Sequence, residues 1–274
     1  MRPLQAEIVR RLGVKPHIDP AKEVSDRVRF LVDYAQSVGA RGFVLGISGG
    51  VDSTLGGRLA QLAAEQLRTQ GVDARFVALR LPYRVQADEA DAQQALTFIQ
   101  PDESYSIDVA SSVDAIVADV SSVTGRAMSD FAKGNVKARL RMVAQYTVAS
   151  DRRLLVVGTD HAAEAVTGFY TKFGDGAADV TPLEDLDKRQ VRSLVAYLGG
   201  PEALTQKMPT ADLLDDTPGR ADEDELGLRY TDIDDYLEGM DVDPAVAEKI
   251  ERYFLRTRHK RTMPVAPSDS WWKE

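Results

Sequence analysis

The chain has 274 residues, of which 34 are basic, 43 are acidic and none is cysteine, so its formal net charge is −9. The chain is long enough to bury a sizeable core, and 43% of its residues are hydrophobic. This composition excludes a disordered or collagen-like chain. Without cysteine, the chain can form no disulfide, no thiolate zinc site and no cysteine nucleophile.

The amino terminus and the charge distribution bear on location and partners. Met1–Leu12 contains Glu7, Arg10 and Arg11 where a signal peptide would be apolar, and no segment approaches the roughly 18 apolar residues of a membrane span. We therefore expect a cytoplasmic protein that does not bind membranes. The negative charge argues against general nucleic-acid binding. Two basic stretches, 133–141 and 249–261, could contact an anionic ligand or could simply be solvated helix faces.

Strand and helix patterns alternate through the first two thirds of the chain. Strands are predicted at 42–47, 75–79, 105–109 and 154–158, and helices at 55–70, 86–99 and 129–149. The unit formed by the first two strands and their helix spans under about 40 residues, which is typical of a right-handed crossover between parallel strands. The pattern predicts an α/β fold, a doubly wound and mostly parallel sheet with helices on both faces.

The strand pattern fades after residue 179. Further helices are predicted at 188–198, 231–237 and 244–259, with Asp187 as the N-cap of the first. The stretch 205–229 is rich in Pro, Asp and Thr, and we expect a long loop over the carboxyl edge of the sheet. The predicted organisation is a single domain, 1–274, with an α/β core at 42–180, a mobile loop at 205–229 and a helical part at 230–274.

The segment Gly46–Ser53, with the sequence GISGGVDS, follows a predicted strand and opens a predicted helix. Such a turn directs backbone N–H groups and a helix dipole at an anion. Neither GxxxxGK[ST] nor GxGxxG occurs in the chain. Because Asp52 would repel a phosphate unless a divalent cation lay between them, the loop predicts a magnesium-bridged pyrophosphate. An ordinary glycine turn, with Asp52 at the helix start, explains the glycines but not the paired serines Ser48 and Ser53.

A second informative segment begins where the strand at 154–158 ends. His161 and Glu164 are three residues apart, so they would share a face of a helical turn. Glu164 fits a magnesium ligand opposite Asp52, although a solvated helix carboxylate is the alternative. With three histidines in the chain, a catalytic zinc site fits poorly. We interpret His161 as a structural or supporting residue.

Two further segments carry weaker signals. In Lys207–Leu213, Pro209 fixes a turn and leaves the Thr210 hydroxyl available to phosphate or metal. His259–Arg261 lies at the predicted end of a helix, where cations also complement the helix dipole. Neither segment identifies a site by itself.

The SGGxDS loop resembles the pyrophosphate loop of the ATP pyrophosphatase superfamily, whose members adenylate a substrate with ATP. That superfamily includes tRNA thiolation and lysidine enzymes, GMP synthetase and argininosuccinate synthetase, and the lack of cysteine argues against the tRNA thiolases. From about residue 5 to Trp272, the chain is similar to the ammonia-dependent NAD synthetase family. The similarity rests on SGGVDSTL, RLPY, GNVKARLRM, GTDHAAEAVTGFYTKFGDG, KMPTADL, DDYLEG and HKR, which occur in family order.

The resemblance implies ATP-dependent amidation of deamido-NAD by ammonia, through an acyl adenylate, to give NAD, AMP and pyrophosphate. It also implies Mg²⁺ and a homodimer with the dinucleotide at the interface. The implied ATP site comprises Gly46, Ile47, Ser48, Gly49, Gly50, Val51, Asp52, Ser53, Arg80, Thr159, Lys188 and Thr210. The implied deamido-NAD site comprises Arg139, Lys172, Asp179, His259 and Lys260, with Phe131 and Phe169 beside the pyridine ring. The implied metal ligands are Asp52 and Glu164, and the implied catalytic residues are Asp175, which would face ammonia, Lys188 and Ser48.

One position departs from the family pattern, because Arg84 follows Pro82-Tyr83 where a smaller residue is expected. The departure lies in the loop 82–88, and we expect it to alter that loop and not the chemistry of the site. Two other functions stay open from the residues alone. A different ligase of the superfamily would share the phosphate loop, and a non-catalytic nucleotide sensor would be expected to lack Asp52, Glu164 and Lys188.

Overall fold

The computed structural model describes residues 1–84, 89–210, 213–216, 219–262 and 264–273. Its sheet has four parallel strands in the order β3-β2-β1-β4. They are β1 (Gly42–Gly46), β2 (Arg75–Arg80), β3 (Glu103–Ser106) and β4 (Leu155–Val156). The order reverses between β1 and β4, as expected of a doubly wound sheet.

The helices surround this sheet. The first six are α1 (Pro3–Leu12), α2 (Pro20–Val38), α3 (Val51–Thr69), α4 (Glu89–Ile99), α5 (Ala110–Thr124) and α6 (Asp130–Arg152). The others are α7 (Ala162–Thr167), α8 (Lys188–Tyr197), α9 (Glu202–Thr205), α10 (Asp222–Leu226), α11 (Tyr230–Leu237) and α12 (Pro244–Arg256). Two 3₁₀ turns, Arg258–Lys260 and Trp271–Lys273, follow α12. None of the helices in the described parts of the chain is long and apolar enough to cross a bilayer.

Both faces of the sheet are covered, which confirms the predicted fold class. Phe43 and Leu45 of β1 belong to a core shared with α2, α3 and α8. Val44, between them, points to the opposite face and packs with residues of α6 and with Val77 of β2. Successive side chains of a strand alternate in this way, so β1 is apolar throughout because both of its faces are buried.

A separate core joins the two ends of the chain. α1 packs with α7, α11 and α12 around the fully buried rings of Tyr230 and Tyr236. The Gln5 amide of α1 donates hydrogen bonds to the carbonyls of Tyr236 and Met240, each at 2.9 Å. The helices α11 and α12 of the predicted helical part are therefore packed against the amino-terminal helix.

Some predicted boundaries were wrong. The third strand lies at Glu103–Ser106 rather than at 105–109, because polar residues of this largely exposed edge strand hide it from the hydrophobic pattern. The last long helix ends at Arg256, and the predicted loop 205–229 contains α10 and a bridge between Thr210 and Ala221. The predicted helix start at 86–88 lies outside the described residues, and α1, α2 and α5 were not predicted.

Candidate active site

A cavity of about 810 Å³ opens at the carboxyl ends of β1, β2 and β4. It lies at the point where the strand order reverses, which is where open α/β sheets bind ligands. Of the implied ATP-site residues, those that line it are Gly46, Ile47, Ser48, Gly50, Val51, Asp52, Ser53, Thr159, Lys188 and Thr210. Its volume is within the usual range for small-molecule and cofactor sites.

The phosphate loop connects β1 to α3, as predicted. Gly49 has a φ of +85°, and a Cβ atom there would lie 2.7 Å from the backbone nitrogen of Ala92 in α4, so only glycine fits. The hydroxyls of Ser48 and Ser53 are 3.1 Å apart, and the N–H of Gly50 donates to Ser48 Oγ at 3.2 Å. The paired serines therefore stabilise the loop that leads into the amino terminus of α3.

Four side chains meet beside this loop. Asp52 lies in the first turn of α3, and the Lys188 ammonium donates to its two oxygens at 3.0 and 2.8 Å. His161 Nε2 lies 3.3 Å from Asp52 Oδ1 and 3.6 Å from Glu164 Oε1. One ligand atom from each of Asp52, His161 and Glu164 falls within 4.8 Å of the others. Two carboxylates at this spacing fit a magnesium ion, which takes oxygen ligands.

Burial and charge act in opposite directions on these groups. Burial opposes ionisation of Asp52, but the ammonium of Lys188 and the neighbouring His161 outweigh it and lower the pKa of Asp52. Burial raises the pKa of Glu164 well above its usual range, and nearby Asp52 adds to that rise. Burial and the charge of Lys188 lower the pKa of His161. A further cation would therefore favour the ionised form of Glu164.

Lys188 is the first residue of α8, and its side chain is 1% exposed. Asp187 caps the helix, as predicted, by accepting a hydrogen bond from the Gln190 N–H at 2.7 Å. Asp234 of α11, which is 2% exposed, accepts hydrogen bonds from the N–H groups of Lys188 and Arg189, each at 3.0 Å. Asp234 was not predicted as a site residue, although it opens the motif DDYLEG.

The other part of the cavity is lined by residues implied for deamido-NAD and for ammonia, namely Phe131, Phe169, Asp175, His259 and Lys260. The Lys260 ammonium donates to the carbonyls of Gly168 and Tyr170 at 2.8 and 2.6 Å. Asp175 Oδ1 accepts a hydrogen bond from the Thr171 N–H at 3.0 Å, and desolvation raises the pKa of this carboxyl.

Three residues implied for the dinucleotide lie outside the cavity lining. Arg139 is exposed and donates to the Lys172 carbonyl at 3.2 Å, and Lys172 donates in turn to the His259 carbonyl at 2.6 Å. Both are thus connected to the cavity through His259. Asp179 is also exposed, and its Oδ2 accepts a hydrogen bond from the Val156 N–H at 2.8 Å.

Two residues implied for ATP also lie outside the lining. Arg80 forms a paired ion contact with Glu89 of α4 beside a smaller hollow at the β3 edge of the sheet. Gly49 belongs to the loop but packs against α4.

Known proteins resemble this chain over nearly its whole length. A protein-family model described as NAD synthase matches residues 23–264. An NH₃-dependent NAD⁺ synthetase of Bacillus licheniformis is 59% identical over 270 residues, which are 98% of this chain and 99% of that protein. The crystal structure of NAD⁺ synthetase from Burkholderia pseudomallei superposes with a TM-score of 0.82 at 50% identity, covering 95% of this chain and 96% of the other.

A second solved structure has a different name. NMN synthetase from Francisella tularensis superposes with a TM-score of 0.81 at 35% identity, covering 92% of this chain and 100% of the other. The matching model and the 59% identity cover most of the chain and agree with the geometry of the cavity. The chain therefore belongs to the NAD synthase family.

Proposed function

We propose that the protein is an ammonia-dependent NAD synthetase that amidates deamido-NAD at the expense of ATP. The observation that carries the proposal is a single cavity lined by the phosphate loop, Asp52, Glu164 and Lys188 together with Asp175 and His259. Such a cavity can hold a nucleoside triphosphate beside a second ligand. The family membership of the chain supports the choice of ligands.

The first half-reaction activates a carboxylate. A carboxylate oxygen of deamido-NAD attacks the α-phosphorus of ATP, the bond to the bridging oxygen breaks, and pyrophosphate leaves. The phosphate-loop N–H groups and the Lys188 ammonium are suited to hold the charge that grows on pyrophosphate. Asp52 and Glu164 would hold Mg²⁺, which when bound neutralises phosphate charge.

In the second half-reaction, ammonia displaces AMP from the acyl adenylate. Ammonia attacks the acyl carbon of the adenylate and the bond to AMP breaks, which leaves the amide of NAD. Asp175 lines the cavity, and its Oδ1 accepts a hydrogen bond from the Thr171 N–H. Such a carboxylate is suited to draw ammonium from water and to accept its proton beside the acyl carbon.

We also propose that the protein acts as a cytoplasmic homodimer. Exposed apolar side chains recur along α5 at Ile116, Val120 and Val123, at helical spacing. A row of this kind on a folded protein favours an interface. A second chain there would lie next to α6, which carries Arg139 and Phe131.

The proposal is tested with a substrate panel. The purified protein, ATP, Mg²⁺ and ammonium are combined with deamido-NAD, with nicotinic acid mononucleotide, or with other carboxylates, and the release of pyrophosphate and AMP is measured. We expect the largest specificity constant with deamido-NAD. A preference for the mononucleotide would indicate an NMN synthetase, and the absence of pyrophosphate with every substrate would indicate a nucleotide sensor.

A further inference from the structure

The Lys188 ammonium is buried, so each of its three protons needs an acceptor. Its side chain is 1% exposed, and a buried donor without an acceptor is costly. The two oxygens of Asp52 accept from it at 3.0 and 2.8 Å, and His161 Nε2 lies 3.2 Å from the same nitrogen. Among the described residues, His161 therefore provides the third hydrogen-bond partner of the ammonium.

These contacts determine where the His161 ring carries its proton. An ammonium only donates, so Nε2 bonds to it through a lone pair, and the neutral ring then has its proton on Nδ1. A proton on Nε2, directed at Asp52 Oδ1 3.3 Å away, would instead leave one ammonium proton without an acceptor. Because no described residue bonds to the buried Nδ1, the contacts of Nε2 alone decide between the two forms.

A second neutral group contacts the same ammonium. The centre of the Tyr230 ring lies 4.8 Å from Lys188 Nζ, within the range of cation–π attraction. Tyr230 is 2% exposed and belongs to the core that joins the two ends of the chain, so its ring is fixed by packing. Lys188 is thus held by one carboxylate and by two uncharged rings.

The uncharged partners matter because Asp52 is also an expected metal ligand. A divalent cation on Asp52 would repel the ammonium and weaken the two bonds between them. The bond to a neutral imidazole does not depend on that carboxylate, and a neutral acceptor does not cancel the charge of Lys188. The ammonium can therefore keep its place beside the phosphate loop with its charge available to phosphate.

We infer that His161 is a positioning residue whose neutral imidazole, protonated on Nδ1, holds the Lys188 ammonium beside the phosphate loop while pyrophosphate leaves. The part that concerns pyrophosphate rests on the proposed function, whereas the position of the proton does not. His161 is fully buried and is not part of the cavity lining, so it acts through Lys188 and not on the reacting atoms.

The first experiment locates the proton in the protein without ligands. The chain has three histidines, so labelling their rings with ¹⁵N gives three sets of NMR signals. His17→Gln and His259→Gln each remove one exposed histidine, which assigns the third set to His161.

The ring proton Hδ2 is two bonds from Nε2 and three bonds from Nδ1, so its couplings identify each nitrogen. Spectra are recorded at about pH 8, above the usual histidine pKa of about 6.5. We expect His161 to carry its proton on Nδ1. A proton on Nε2 would overturn the inference.

The second experiment compares two substitutions of His161. In His161→Gln, the side-chain oxygen can replace Nε2 as the acceptor, whereas His161→Leu supplies an apolar side chain without an acceptor. Single-turnover release of pyrophosphate is measured with saturating ATP, Mg²⁺ and deamido-NAD. Ammonium is omitted, so that only the first half-reaction occurs.

We expect His161→Leu to release pyrophosphate about 10- to 150-fold more slowly than wild type, the range that one hydrogen bond to a charged group supplies. His161→Gln should be severalfold faster than His161→Leu. The deamido-NAD concentration that gives half the maximal rate should change little in either variant. His17→Leu and His17→Gln, at an exposed position between α1 and α2, are the controls and should match wild type.

The outcomes separate this inference from the proposed function. Equal rates for His161→Leu and His161→Gln would overturn the inference, because a residue that only fills space does not need an acceptor. If circular dichroism shows that either variant is unfolded, the spectrum of the wild type decides. A wild type that releases no pyrophosphate with deamido-NAD would overturn the proposed function, and the proton on His161 would still show whether the ring holds Lys188.

Discussion

At the residue scale, Asp52 is the carboxylate that the segment Gly46–Ser53 places in the first turn of α3. It is held by Lys188 and lies next to His161, so it is a partly buried charge in a network rather than a free surface group. Replacing it with alanine would leave the ammonium of Lys188 without its closest partner, which is costly for a buried charge. Asparagine keeps the shape and removes only the charge.

We expect Asp52→Asn to slow pyrophosphate release by about 10²- to 10⁴-fold, the scale on which positioned electrostatic groups act. Pyrophosphate release is measured at saturating Mg²⁺, and thermal melting reports the fold. Asp26→Asn, on an exposed face of α2, serves as the control. A variant that keeps nearly wild-type release would show that Asp52 does not hold a metal bound to ATP.

Arg139 tests the implied dinucleotide site at its exposed rim. We expect Arg139→Ala to weaken the preference for deamido-NAD over nicotinic acid mononucleotide by about 1.5 to 3 kcal/mol, because it removes a charged hydrogen-bond donor. Specificity constants for both substrates are measured together with the KM for ATP, which should change little. Arg29→Ala is the matched control on α2. An unchanged preference would show that Arg139 is a solvated helix residue and does not bind the dinucleotide.

At the element scale, the amino terminus of α8 determines where Lys188 lies. Burial raises the pKa of Asp187 to about 8, with a contribution from nearby Asp234. Burial also raises the pKa of Asp234 to about 6. Two buried carboxyl groups at one helix terminus therefore retain protons at pH values where they would be ionised in the unfolded chain.

This difference predicts the direction of a pH effect. An acid with a higher pKa in the folded state favours folding at low pH, and that stability is lost as the pH rises from the unfolded value of 3.8 towards about 8. Asp187→Asn removes the effect but keeps an acceptor for the Gln190 N–H. As the pH rises through this range, we expect the unfolding free energy of wild type to fall relative to that of the variant. The fall should be at most about 1.4 kcal/mol per pH unit.

Urea unfolding at about pH 5 and about pH 8 measures the difference for wild type and Asp187→Asn. Asp19→Asn is the control, because Asp19 caps α2 at an exposed position. If wild type and Asp187→Asn lose stability equally between the two pH values, the pKa of Asp187 is not higher in the folded protein than in the unfolded chain.

At the scale of the whole molecule, α5 packs against α6, which in turn packs against β1 and β4 of the sheet. The exposed fractions of Ile116, Val120 and Val123 on α5 are 46%, 43% and 88%. A homodimer interface would cover such a face, because burying apolar surface is the main favourable contribution to association.

We expect Val120→Glu to convert a dimer of the 30.0 kDa chain into a monomer and to raise the KM for deamido-NAD more than that for ATP. The physical reason is that a charge placed in an apolar interface loses its hydration without gaining a partner. Light scattering after gel filtration measures the mass. Val38→Glu, on the exposed side of α2, should leave it unchanged, whereas a dimeric Val120→Glu would place the interface elsewhere.

The sequence by itself determined the features that depend on neighbours in the chain. The buried apolar strand β1, the turn at Gly46–Ser53 between a strand and a helix, and the N-cap at Asp187 are local patterns, and the structure confirms each of them. The motif resemblance led to the family, which the comparisons establish. The site roles it implies stay predictions until the variants above are measured.

Only the tertiary structure decided which distant residues meet. Asp234 reaches the amino terminus of α8 from 46 residues away, and Lys137 reaches Asp215 from 78 residues away. Charge and periodicity did not separate Lys137 from a solvated lysine, because both kinds of residue can occupy the same helical pattern. Burial decides the difference, and burial depends on how α6 packs against a segment with no periodicity of its own.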